Sequence, residues 1–111
     1  MQENDQSFTQ LRKGLLEFAV LSSVSDKHAY VADILKRLEG TPFETSEGTL
    51  YPLLSRLKRE ELLAYKWEES EVGPPRKYYG LTTIGEARLE QMHKYWQHLY
   101  NSLEAIGGAH A

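Results

Sequence analysis

The sequence predicts a mainly α fold, α+β in class, built from four helices and one two-stranded hairpin. Three observations predict it. Leu50, Leu53, Leu54 and Leu57 recur at the i, i+3, i+4, i+7 spacing that gathers leucines on one face of a 3.6-residue helix. Tyr65 and Trp67 alternate with Lys66 and Glu68, and aromatic residues return at Tyr78 and Tyr79 beyond Gly73, Pro74 and Pro75, which is the pattern of a hairpin. From Thr82 onward there is no proline, and Leu89, Met92, Trp96, Leu99, Leu103 and Ile106 step alternately by three and four residues, a heptad seam.

The chain opens on a polar stretch, MQENDQSFTQ, expected as a flexible segment over residues 1–10. In the first helix Leu11, Leu15, Phe18 and Ala19 form a stripe that Leu16, Val20 and Leu21 broaden. Such a helix meets two partners, its own core and a second subunit, or is buried outright at the domain centre. Ser25 and Asp26 are candidate caps for a second helix marked by Val31, Ile34, Leu35 and Leu38 and ended by Gly40 and Pro42. Phe43 and its neighbours lead as a short strand or turn into the third helix, SEGTLYPLLSRLKREELL at 46 to 63. Pro52 fits there only near the first turn, where its missing N–H is not needed.

Opposite its leucines, the third helix projects at about 100° per residue to an outer face of Gly48, Pro52, Ser55 and Arg59, flanked by Thr49, Tyr51 and Arg56. Small residues allow close approach to a DNA groove, hydroxyls bond phosphates, and arginine bonds phosphate or the guanine edge. An ordinary solvated face has a similar composition. The hairpin adds weight to the first reading. Its Gly-Pro-Pro run reads as a rigid turn with Arg76 and Lys77 at the base, and adjacent cations there can follow a phosphate backbone or enter the minor groove. A helix followed by a basic hairpin is the layout of a DNA-reading helix with its wing.

In this combination the chain resembles the PadR-type transcriptional regulators. The resemblance rests on GTLYPLLSRL at 48 to 57, on RKYYGLT with Gly85 at 76 to 85, and on KGLLEFAVLSSV at 13 to 24, and it covers nearly the whole chain. It implies a winged helix-turn-helix domain over residues 11–82, whose third helix reads the major groove, and a C-terminal dimerisation helix over 83–106 followed by a flexible tail, 107–111. By motif match it puts Thr49, Tyr51 and Arg56 on the reading helix and Arg76, Lys77 and Tyr78 on the wing. Glu61 stands where the family usually ends this helix with a left-handed glycine, and the proline pair implies a stiff wing.

The seam predicts helix-to-helix packing, and a two-fold homodimer satisfies it because the other helices are committed to the winged core. Gly107 and Gly108 stop the helix. Trp96, with Tyr95, Met92 and Tyr100 beside it, either fills the dimer interface or stacks a ligand. The ligand reading comes from the resemblance, since in multidrug-sensing relatives a tryptophan on this helix lines a cavity at the dimer centre and stacks flat hydrophobic compounds. Leu15, Phe18, Ala19, Met92 and Trp96 are the corresponding candidate residues for a hydrophobic aromatic effector that releases DNA.

Composition sets the remaining bounds. At 111 residues with 41% hydrophobic content the chain is read as one domain that gains from a partner chain. Without cysteine there is no disulfide framework and no thiolate metal site; no cofactor or metal is expected, and with no apolar run of membrane-spanning length a cytoplasmic location is. Nothing points to an enzyme. His28, His93, His98 and His110 are scattered and read as surface residues, and His93 and His98 do not share the i, i+4 face used by zinc-binding pairs. The net charge of −3 tells mildly against nucleic acid, and from 46 to 80 Arg56, Lys58, Arg59, Lys66, Arg76 and Lys77 are matched by Glu47, Glu60, Glu61, Glu68, Glu69 and Glu71. The expectation is a sequence-specific DNA-binding regulator, a repressor by its small size, dimeric on a two-fold symmetric operator. A winged module that binds protein instead of DNA is the alternative.

Overall fold

A computed structural model describes residues 6–108. A 3-10 turn at Gln6–Phe8 leads into α1 (Thr9–Ser23), α2 (Val31–Leu38), α3 (Glu47–Arg59), the strands β1 (Leu63–Ser70) and β2 (Gly73–Leu81), and α4 (Thr83–Gly107). This is the expected mainly α architecture with a single two-stranded antiparallel sheet. Of the segment expected to be flexible, residues 6–10 already belong to the turn and α1, while 1–5 lie outside the described residues, as do 109–111 with His110. The C-terminal helix runs through Gly107 and closes on Gly108 in the left-handed conformation (φ 61°).

The core is assembled from one face of each element: Val20 and Leu21 of α1, Val24, Ala29, Ile34 and Leu38, then Leu50, Leu54 and Leu57 of α3, Leu62, Leu63, Tyr79 and Leu89. Of the four α3 leucines, Leu50, Leu54 and Leu57 are buried as their spacing requires and Leu53 is half-buried at the edge of the core. The first helix differs from its expected burial. Its C-terminal end enters the core, but Leu11 is exposed and Leu15, Phe18 and Ala19 are only half-buried.

Ser25 and Asp26 do not cap α2. The backbone N–H of Tyr30 donates to Asp33 Oδ2 at 3.0 Å, so an acid inside the first turn does the work assigned to residues before it. Phe43 lies in a turn, with Glu44 N–H donating to the Thr41 carbonyl at 3.1 Å. A different residue extends the sheet: Ala29 and Tyr79 exchange backbone hydrogen bonds of 2.9 and 2.8 Å, which anchors the entry to α2 on β2.

The third helix is shorter than its sequence pattern suggests, because Leu63 already belongs to β1. Ser46 caps it, accepting from Thr49 N–H at 3.3 Å, and Pro52 sits in the second turn rather than the first. Gly48 and Pro52 are both exposed, so water can reach the Gly48 carbonyl that the proline leaves without its helical donor. Beyond Arg59 the chain turns through Glu61 at φ 64°, the left-handed conformation, as the position of a family glycine implies.

The hairpin corrects the sequence reading most. Gly73, Pro74 and Pro75 are not the turn; they open β2, and the reversal is made by Glu71 and Val72. Glu68 pairs with Arg76 and Ser70 with Gly73, so Pro74 and Pro75 together face the single residue Glu69. That is a bulge on β2, a place in the ladder where residues without an N–H are tolerated. Arg76 and Lys77 consequently stand within the ladder, opposite Glu68 and Trp67, and not at the turn.

At the far end Thr82 joins hairpin to α4. Its hydroxyl accepts from Gly85 N–H at 2.9 Å and its backbone N–H donates to the Leu62 carbonyl at 3.1 Å. A Cβ on Gly85 would overlap that carbonyl, so the close approach of α4 to the α3–β1 turn depends on the missing side chain. Only the top of the heptad seam serves this chain's own core: Leu89 is buried and Met92 packs against it. Trp96, Leu99, Leu103 and Ile106 are exposed, the last two most of all. Among the described residues no helix is long and apolar enough to cross a membrane.

Candidate nucleic-acid interface

Burial of Leu50, Leu54 and Leu57 fixes the rotation of α3, and the opposite face is open: Gly48, Thr49, Tyr51, Pro52, Ser55 and Arg59 are all exposed. Next to this face stands the hairpin. Tyr51 and Glu47 from α3, Trp67 from β1, and Pro75, Arg76 and Lys77 from β2 line a cleft of about 350 Å³ whose floor is Tyr30, Val31 and Ala32 at the start of α2. Thus Tyr51, Arg76 and Lys77 share one cleft, while Thr49, Ser55 and Arg59 continue along the helix beside it. Hydroxyls, an aromatic edge and guanidinium groups in this arrangement can donate to phosphate oxygens and to base edges.

The cations are not equivalent. Arg56 is half-buried and committed within the protein, donating from Nη2 to Glu17 Oε1 and from Nη1 to Glu60 Oε2, both at 2.9 Å. The hydrogen bond to Glu17, then that to Glu60, holds its guanidinium above the usual arginine pKa. Glu17 also meets Arg88 of α4 at 3.5 Å through Oε2, an ion-pair distance without hydrogen-bond alignment. Arg76 is differently placed. Its guanidinium lies 3.9 Å over the Tyr30 ring, and among the described residues no carboxylate pairs with it, its cross-strand neighbour Glu68 being taken by Lys66 at 3.3 Å. Lys77 sits over Tyr65 at 4.7 Å and Trp67 at 5.6 Å. Tyr78 is stacked on His28 at 5.3 Å and tilted against Tyr30 at 4.7 Å.

A second cavity lies across the molecule. Leu15, Phe18 and Ala19 of α1 and Trp96 of α4 line an open groove of about 660 Å³, together with Arg37, Pro42 and Phe43. Met92, expected with them, is directed into the core instead. His93, read from sequence as a plain surface residue, is a wall of this groove, edge-on to Phe18 at 4.7 Å.

Sequence reasoning missed Glu17, Tyr30 and the structural part played by His28. Glu17 carried a signal, an acid set between Leu16 and Phe18 in an apolar helix. The alternation His28, Ala29, Tyr30, with a small residue between two rings, marked a strand-like step before α2.

Residues 20–91 match the model of the transcriptional regulator PadR-like family. Among solved structures, the chain is 43% identical to a PadR-like transcription factor from Bacteroides fragilis, covering 92% of this chain and 99% of that one with a TM-score of 0.79. A PadR-like transcriptional regulator from Bacillus cereus is 33% identical, over 87% of this chain and 95% of that one, with a TM-score of 0.75. A PadR family regulator from Eggerthella lenta is 32% identical, over 90% and 88%, with a TM-score of 0.81.

Proposed function

Since the chain belongs to the transcriptional regulator PadR-like family, and is thereby a regulator rather than an enzyme, we propose that it binds double-stranded DNA as a homodimer and represses transcription by occupying a two-fold symmetric operator. The observation that carries this is the exposed polar face of α3 standing beside a wing arginine that, among the described residues, no acid neutralises. Thr49, Tyr51, Ser55 and Arg59 face the major groove in this reading, and Arg76, Lys77 and Tyr78 hold the flanking backbone. Arg56 contributes mainly by fixing the helix, since its charge is balanced by Glu17 and Glu60, each of which already takes one of its N–H donors.

The homodimer reading is supported by the lower half of α4, where Trp96, Leu99, Leu103 and Ile106 are exposed on one heptad stripe. Large apolar side chains left in water at this regular spacing have a second copy of the same helix as their natural cover. Pairing there would set the two α3 helices about one DNA turn, ~34 Å, apart.

We further propose that a flat, hydrophobic aromatic compound enters the groove between Trp96 and the Leu15, Phe18 and Ala19 stripe and releases the DNA. A ligand that binds better when α1 and α4 are spread would shift the dimer toward a spacing that no longer fits the operator.

The test is fluorescence anisotropy with a labelled duplex from the promoter of the chain's own gene and a scrambled duplex, over a salt series. With a net charge of −3 the non-specific background should be weak, and the promoter should bind more tightly and with steep salt dependence. Equal binding to both duplexes would sink the operator; no salt-sensitive binding to either would favour a protein-interaction module.

A further inference from the structure

Arg76 projects from an exposed hairpin, where an arginine normally samples many rotamers and must surrender them on binding. Here it does not hang free. Its guanidinium lies 3.9 Å over the Tyr30 ring, which leans on Tyr78, which stacks on His28, so a column of rings runs beneath the wing.

The backbone explains why the column forms. Ala29 and Tyr79 exchange hydrogen bonds, so Tyr30 and His28 on either side of Ala29 fall beside Tyr78 and Gly80 on the same face of the sheet as Arg76. Gly80 is required for this: a Cβ there would overlap the His28 ring. Tyr30 is held from its other side by the Asp33 cap on its backbone N–H. Stacking uses only the face of a guanidinium and leaves its N–H fork free to bond in the plane.

Resting on the DNA-binding reading above, we propose that Tyr30 is the positioning residue of the wing: the ring column Tyr30–Tyr78–His28 presents Arg76 to a backbone phosphate at the mouth of the cleft between α3 and the hairpin. Tyr30 itself need not touch DNA. Its effect passes through Arg76, and any ring of similar size should serve.

The experiment compares wild type, Arg76→Ala, Tyr30→Leu, Tyr30→Phe and the double variant Tyr30→Leu/Arg76→Ala in anisotropy titrations of the promoter duplex across salt, each variant checked by thermal melting. The expected loss for Tyr30→Leu is about 2- to 5-fold per protomer, the size of an exposed cation–π contact, with Tyr30→Phe close to wild type. In the Arg76→Ala background Tyr30→Leu should cost nothing more. A Tyr30→Leu loss that persists undiminished without Arg76, or wild-type affinity in Tyr30→Leu while Arg76→Ala binds weakly, overturns the proposal and leaves the DNA-binding reading standing. If Tyr30→Leu does not fold, His28→Ala, at an exposed position at the column's far end, carries the same expectation and the same refutation. The side-chain NMR signals of Arg76 in the DNA-free protein give a second readout: Tyr30→Leu should abolish their ring-current shift and Tyr30→Phe should keep it. An unchanged shift in Tyr30→Leu refutes the column even if the protein binds no DNA at all.

Discussion

Arg56 of α3 and Glu17 of α1, 39 positions apart in sequence, meet at 2.9 Å, and the same carboxylate reaches Arg88 of α4. One acid therefore ties the exposed helix to the helix that carries the heptad seam. Because 41% of the Arg56 side chain stays in contact with water, the bond is worth little by itself: a double-mutant cycle of Arg56→Ala and Glu17→Gln in urea unfolding should return a coupling of about 0.5–1 kcal/mol. A coupling indistinguishable from zero would mean that the pair does not orient α3.

The two arginines should separate on DNA. Arg76→Ala should weaken binding alike on every sequence and flatten the salt slope by about 1 per protomer, the signature of a phosphate contact. Arg56→Ala, which removes a charge already paired with Glu17 and Glu60, should leave the slope nearly unchanged. Identical slopes for the two variants would count against this division of labour.

Position along α4 should decide what a charge does. Leu103→Glu, at an exposed site, should turn a dimer into a folded monomer in sedimentation velocity, with helicity retained. Leu89→Glu should unfold the monomer itself, because Leu89 is a core residue. A Leu103→Glu protein that stays dimeric would move the interface away from this stripe.

Tryptophan emission reports on the groove. Planar hydrophobic compounds should quench wild-type protein and fail to quench Trp96→Leu, in which only the exposed Trp67 remains. Quenching that survives the substitution would sink the groove as the ligand site.

The turn after α3 predicts one gain and one loss in stability. Glu61→Gly should raise the unfolding free energy by about 1 kcal/mol, since a left-handed φ costs a side-chain-bearing residue roughly that much. Gly85→Ala should lower it by about 1–3 kcal/mol or more, because the new methyl meets a backbone carbonyl that cannot swing aside. Urea denaturation of both variants measures each sign directly.

How much of this was legible in the sequence follows the range of the interaction. Spacing alone was enough for the α3 leucines, the hairpin and the long final helix, because periodicity is a property of neighbours. The partner of Arg56 was not, since nothing local links residue 56 to Glu17. Pro74 and Pro75 misled for a physical reason: proline is rightly barred from a regular ladder, but a bulge asks for no N–H at that point. Leu89 and Met92 belong to the same seam as Leu103, and only the fold separates those that meet this chain's core from those left open.

A two-stranded sheet exposes backbone edges, and an exposed edge invites another chain to continue the sheet, the first step toward fibrous aggregates. The proline bulge answers this near the tip. Over Pro74 and Pro75 the outer margin of β2 offers no N–H to an incoming strand, and the adjacent Arg76 adds charge, so the segment that must stay exposed is also poorly suited to being zipped up by another copy.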